Sequence, residues 1–131
     1  MKILFKISMI TLILVACISC SDDNGDESIQ EVQFIGEWLG TYSGLDSGFW
    51  NITVSRIGEV TGEGFSKNAM QTLTVEGNVD VSGDFRAIIG ATNNEIIFTG
   101  TFTENSSSGV WENTTLGITG TWEGVRNENI N

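Results

Sequence analysis

Phe34-Ile35-Gly36-Glu37-Trp38-Leu39-Gly40-Thr41-Tyr42 is the stretch that decides the fold. Phe34, Gly36, Trp38, Gly40 and Tyr42 occupy every second position, with Glu37 and Thr41 between them. Side chains of an extended strand alternate between two faces, so the pattern predicts a strand with one apolar face. On that face large and small residues alternate, as the narrow interior of a small barrel requires.

The same period of two runs outward along the chain. Trp50, Ile52 and Val54 alternate with Asn51, Thr53 and Ser55. Ile96, Phe98, Gly100 and Phe102 alternate with Ile97, Thr99, Thr101 and Thr103. Leu116, Ile118, Gly120 and Trp122 alternate with Gly117, Thr119, Thr121 and Glu123. Weaker segments of this kind lie near 59–66, 71–79, 84–90 and 109–114. Turn clusters separate them: 43–48, 56–59, 82–84, 92–95, 104–109 and 112–117. No stretch beyond residue 33 carries a helical period. Strands about ten residues apart with turns between predict an all-β antiparallel meander of about eight strands. Closing that meander into a barrel removes its exposed edges; a two-sheet sandwich or half-open roll is the alternative.

The opening of the chain reads as an address. Lys2 and Lys6 precede an apolar run from Ile7 to Ile18, the order of a secretory signal. Twelve apolar residues are too few for a spanning helix, which needs about 20. Small residues and two cysteines follow, in Ala16-Cys17-Ile18-Ser19-Cys20, and then the acidic Ser21-Asp22-Asp23-Asn24-Gly25-Asp26-Glu27. This segment resembles bacterial lipoproteins, and the acidic stretch after the cysteine resembles those of the Bacteroidota. The resemblance implies cleavage before a cysteine that receives diacylglycerol on sulfur and acyl chains such as palmitate. Cys20 is the preferred lipidation site because the acidic stretch follows it at once. Cys17 is the alternative, since Leu14-Val15-Ala16-Cys17 keeps the usual lipobox order. The expected organisation is a signal peptide over 1–19, an acidic tether over 20–33, a β-domain over 34–126 and a tail over 127–131. The expected location is the outer membrane, lipid-anchored at the cell surface, with a periplasm-facing anchor as the alternative. The fourteen steps from Cys20 to Phe34 reach about 45 Å when extended. Ser28-Ile29-Gln30-Glu31 has the order of a capping box and allows one helical turn there.

Charge and composition exclude several function classes. Beyond residue 19 four basic residues (Arg56, Lys67, Arg86, Arg126) face seventeen acidic ones, a net charge of −13. Such a surface repels phosphate backbones, so nucleic acid is not expected as a partner. Histidine is absent, which removes Ser-His-Asp and Cys-His catalysis and the HExxH zinc sites. Asp22, Asn24 and Asp26 alternate as in a calcium loop, but Glu27 and Gln33 stand where that loop needs glycine and a bidentate glutamate. No metal, cofactor or catalytic residue is assigned. With no cysteine beyond Cys20, an anchor there leaves the folded domain without a disulfide. The Asn-x-Ser/Thr sequons at Asn51, Asn105 and Asn113 read as turn and strand chemistry.

Gly36-Glu37-Trp38 at the first strand and Arg126 after the last resemble the calycins, the barrel superfamily of lipocalins and avidins. The resemblance implies a first-strand tryptophan packed under an arginine from the end of the final strand, here Trp38 and Arg126. A biotin site of the avidin kind is not implied, because Gly40 and Gly44 stand where its polar residues would be.

Candidate binding residues are the aromatics. Trp50, Trp111, Phe85, Phe98 and Phe102 could line a pocket for a small apolar ligand or a glycan, while Trp38 and Trp122 read as core. Non-catalytic binding of such a ligand, or of another envelope protein, is the expected function. The alternative is an accessory envelope lipoprotein whose barrel is filled by side chains. A third reading is a hydrolase using Glu37 and Glu123, which needs two carboxylates roughly 5–9 Å apart. Both glutamates fall on the face opposite the tryptophans, and a solvated surface pair is the simpler reading.

Overall fold

The structure, a computed structural model, describes residues 30–90 and 95–129. The segment 1–19 expected as a signal peptide, the candidate anchors Cys17 and Cys20, the acidic run 21–27, the expected turn residues 92–94 and the last two residues lie outside the described residues, as does the first half of the expected capping box.

Eight strands follow in order: β1 (Gly36–Gly44), β2 (Gly48–Val54), β3 (Glu59–Ser66), β4 (Gln71–Val79), β5 (Asp84–Ile89), β6 (Ile96–Phe102), β7 (Ser106–Asn113) and β8 (Ile118–Arg126). Each pairs antiparallel with the next, and β8 pairs back on β1, closing the barrel. The expected all-β meander is therefore found, in its closed form. The sandwich and the half-open roll are not.

Alternation sets which residues point inward. Along β2, Gly48, Trp50, Ile52 and Val54 are buried and Phe49, Asn51 and Thr53 are exposed. An eight-stranded barrel is just wide enough for its own side chains to fill. Here three tryptophans do most of the filling, and each lies over a cross-strand pair of glycines. Gly40 pairs with Gly124, Gly44 with Gly120, and Gly100 with Gly109. A β-carbon added at Gly40 or Gly124 would come within 2.2 Å of the Trp50 ring. One at Gly120 would lie 2.4 Å from Trp111 Nε1, and one at Gly100 2.6 Å from Trp122 Cζ2. The alternation of glycine and aromatic residues in the sequence is thus a set of seats for indole rings. Trp111 and Trp122 finish the arrangement by donating their ring N–H to the carbonyls of Ser43 (2.9 Å) and Thr99 (3.0 Å).

The meander places alternate turns at opposite ends, and the two ends differ. One end holds the turns at 55–58, 80–83 and 103–105, together with the chain's approach to β1 and its exit from β8. There Val32 and Phe34 are buried beneath the strands, and Val32 N–H donates to the Arg56 carbonyl at 3.1 Å. Trp38 donates its ring N–H to the Phe34 carbonyl at 2.8 Å and packs edge-on against Phe102. The Arg126 guanidinium lies 4.8 Å above the Trp38 ring. It also donates to the carbonyls of Gln33 (2.9 Å), Glu104 (3.0 Å) and Ile35. This end is closed. The other end carries the turns 45–47, 67–70 and 114–117, with the end of β5 and the start of β6.

Two local expectations give way. Residues 104–109 were expected as a turn, but β7 begins at Ser106. The turn tightens because Thr103 Oγ1 bonds both the backbone and the hydroxyl of Ser106. Gly48 was placed in a turn and instead begins β2, where it pairs with Ser66.

Candidate functional site

At this other, open end the described residues leave the interior unfilled. A cup of about 250 Å³ remains between the strands. At the ~30 Å³ a molecule takes in liquid water, that is room for roughly eight waters. Its apolar lining comes from Leu73, Ile89, Ile96, Phe98, Trp111 and Ile118, with Ala69 and Leu116 at the rim. Three rings form its aromatic wall. Tyr42 stands perpendicular to Phe98 (centroids 5.8 Å apart) and to Trp111 (5.9 Å), and Phe98 and Trp111 lie nearly parallel at 6.3 Å.

A polar cluster occupies one side of the cup, built on Asp46 in the turn after β1. Asp46 Oδ1 accepts from the backbone N–H of Ser47 (2.7 Å) and of Asn68 (3.3 Å). Asp46 Oδ2 accepts from the Ser66 hydroxyl at 2.7 Å. The Tyr42 hydroxyl lies 3.2 Å from both Asp46 Oδ2 and the Phe65 carbonyl oxygen, and donates to one of them at a time. Burial pushes the Tyr42 phenol up to about 12, and the neighbouring Asp46 charge adds to the shift. Tyr42 is therefore a neutral donor at any ordinary pH. Asn113, buried at the end of β7, accepts from Leu116 N–H at 3.0 Å and holds the last mouth turn.

The mouth turns also carry exposed apolar side chains. Leu45, Met70 and Leu116 are 72%, 76% and 65% exposed, each on a different mouth turn. Met70 holds a positive φ of 51°, a conformation that costs a side-chain-bearing residue about 1 kcal/mol or more.

The five aromatic candidates divide by depth. Phe98 and Trp111 line the cup. Trp50 and Phe85 lie below it, around a void of about 20 Å³, no more than one water in size, that Phe98 and Trp122 also border. Phe102 sits at the closed end against Phe34, Trp38 and Phe85. Trp38 and Trp122 are core residues, 0% and 4% exposed. Sequence reasoning missed Tyr42, Asp46 and Ser66 as a group. Asp46 reads as one more turn residue until the barrel brings Ser66 and Asn68 to it.

Glu37 and Glu123 both belong to the outer face and do not meet. Thr41 is the cross-strand partner of Glu123, four residues along β1 from Glu37. At 3.3 Å per residue that separates them by roughly 13 Å, beyond the span of a hydrolytic pair. Glu37 instead accepts from the Asn127 side chain at 3.2 Å. Among the described residues no cluster of three or more acidic, histidine or cysteine side chains could hold a metal ion.

Comparison with known proteins finds no matching family model and no matching curated sequence.

Proposed function

We propose that this chain is a membrane-anchored binding protein whose open-ended barrel holds a small, largely apolar ligand. The observation that carries this reading is the cup: a concave site with an aromatic wall and a few convergent polar groups on one side. The rest of the interior is closed by indole rings on glycine pairs, so the space at the mouth is where the packing stops. Three exposed aliphatic side chains around the mouth offer an apolar path into it.

The chain arrives at the closed end, where Val32 and Phe34 are packed. A lipid at Cys20 would then attach on the side of that end, ten residue steps, at most about 33 Å, from Gln30. The mouth would face the medium. That orientation suits a surface lipoprotein collecting a ligand from outside. A second reading is favoured by the exposed rim of Leu45, Met70 and Leu116: an envelope protein seated on the mouth.

Native mass spectrometry after incubation with an envelope lipid and glycan extract separates the readings. The expected result is an added small mass that disappears in Leu73→Trp, which fills the cup. A bare mass under every condition, or an adduct retained in Leu73→Trp, would count against the cup.

A further inference from the structure

Resting on the cup as a ligand site, we infer that its ligand is a small organic cation, an ammonium group on an apolar body. Two independent features of the lining point the same way.

The first is its charge. Among the described residues Asp46 is the one formally charged side chain that lines the cup. Its partners are a serine hydroxyl, a phenol and backbone N–H groups, all neutral. These bonds hold the carboxylate in place and leave its negative charge uncompensated. Among the described residues the ion pair is Arg56–Glu31, at the other end of the barrel. Lys67 follows Ser66 in the chain but is exposed and does not line the cup. An anionic ligand such as a fatty acid would meet this carboxylate with no cation among the described lining residues to receive it.

The second is the aromatic wall. Ring faces carry negative quadrupole potential, and a cation within about 6 Å of a ring centroid is attracted to it. Tyr42 joins the two features, since its hydroxyl is 3.2 Å from Asp46 while its ring contacts Phe98 and Trp111. A cation beside Asp46 is therefore within reach of the rings that would hold its apolar body.

Phenylpropylamine, phenylpropanol and phenylpropanoate share one apolar body and differ in charge. Their dissociation constants, measured with the wild-type protein by isothermal titration at low and at high salt, test the inference. The ammonium form is expected to bind at least about tenfold tighter than the alcohol, a factor equal to 1.4 kcal/mol, and the carboxylate weakest. The preference should persist at high salt, which screens the general field of an acidic protein far more than a contact inside the cup. Asp46→Asn should abolish most of it and Lys67→Gln should leave it intact. Because Asp46 also holds the mouth turns, Phe98→Leu serves as the second variant, lowering affinity for the amine more than for the alcohol. Equal binding of amine and alcohol, or a preference that vanishes with salt or survives Asp46→Asn, overturns the cation assignment and leaves the cup standing. Failure of all three compounds to bind, with binding of an extract component also absent, overturns the cup reading itself.

Discussion

Two glycine-to-alanine substitutions should move stability in opposite directions, although both face the barrel interior. At Gly40 an added β-carbon would lie 2.1 Å from Trp50 Cζ2 and 2.2 Å from the Glu123 carbonyl oxygen. Ordinary contact needs about 3.5 Å, so the ring and the neighbouring strand must both retreat by more than about 1 Å. Overpacking of this kind costs about 1–3 kcal/mol, and the involvement of backbone puts Gly40→Ala at the upper end. The restricted unfolded chain returns only about 0.4–1 kcal/mol, leaving a net loss of about 2 kcal/mol. At Gly64 the added carbon would meet Val75, Ile89 and Trp50 at 3.7–3.9 Å, which is ordinary contact. There the same entropic term adds to a buried methyl worth about 0.8 kcal/mol, a net gain of about 1.5 kcal/mol. Equilibrium urea unfolding followed by tryptophan fluorescence reads both. With a urea dependence of about 1–3 kcal/mol per molar, the two midpoints should separate by roughly 1 M or more on opposite sides of wild type. A neutral Gly40→Ala, or two shifts of the same sign, would refute the idea that glycine pairs are seats for the indoles.

Three further outcomes are expected. Arg126→Ala removes three hydrogen bonds to carbonyls and the stack on Trp38, and should cost about 2–3 kcal/mol in urea unfolding. Arg126→Lys should recover little, because an ammonium cannot reproduce the planar fork. Ser107 has a buried hydroxyl with no hydrogen-bond partner, so Ser107→Ala should leave stability unchanged or raise it by about 1 kcal/mol; a loss of similar size would reveal a partner. Tyr42 is the chain's single tyrosine, so phenolate absorbance reports on it alone. Its midpoint should lie near pH 12 in the folded protein and near 10 in urea. Because the folded-state value is raised, Tyr42's contribution to stability is complete below pH 10 and is lost as pH rises through about 12. A folded-state midpoint near 10 would place the phenol in water.

Most of the barrel was legible because its devices are local. Period-two patterning located the strands, and the glycines among the aromatics announced a narrow interior before any pairing was known. The stacking of Arg126 on Trp38 followed from the resemblance and from the antiparallel sense of first and last strands. Ser106-Ser107-Ser108 was unreadable because a polar run gives strand and turn the same appearance; only Ser107 points inward. Periodicity also assigns a face but not a depth. Phe98 and Phe102 share a face of β6, yet one lines the cup and the other lies at the closed end. Depth depends on the stagger of all eight strands, which no single segment encodes. The Asp46 cluster was hidden for the same reason, since two of its partners, Ser66 and Asn68, lie 20 or more residues away in the chain.

The cup is tested most directly by the four indole N–H resonances in nitrogen-15 NMR spectra. They sit at different depths: Trp111 in the cup, Trp50 and Trp122 below it, and Trp38 at the closed end. Titration with a ligand that binds, phenylpropylamine first, should shift the Trp111 signal strongly and leave Trp38 unmoved. Equal shifts at all four would mean a general rearrangement, and backbone amide shifts confined to the outer wall, such as at Leu39 and Val125, would contradict the cup as the binding site.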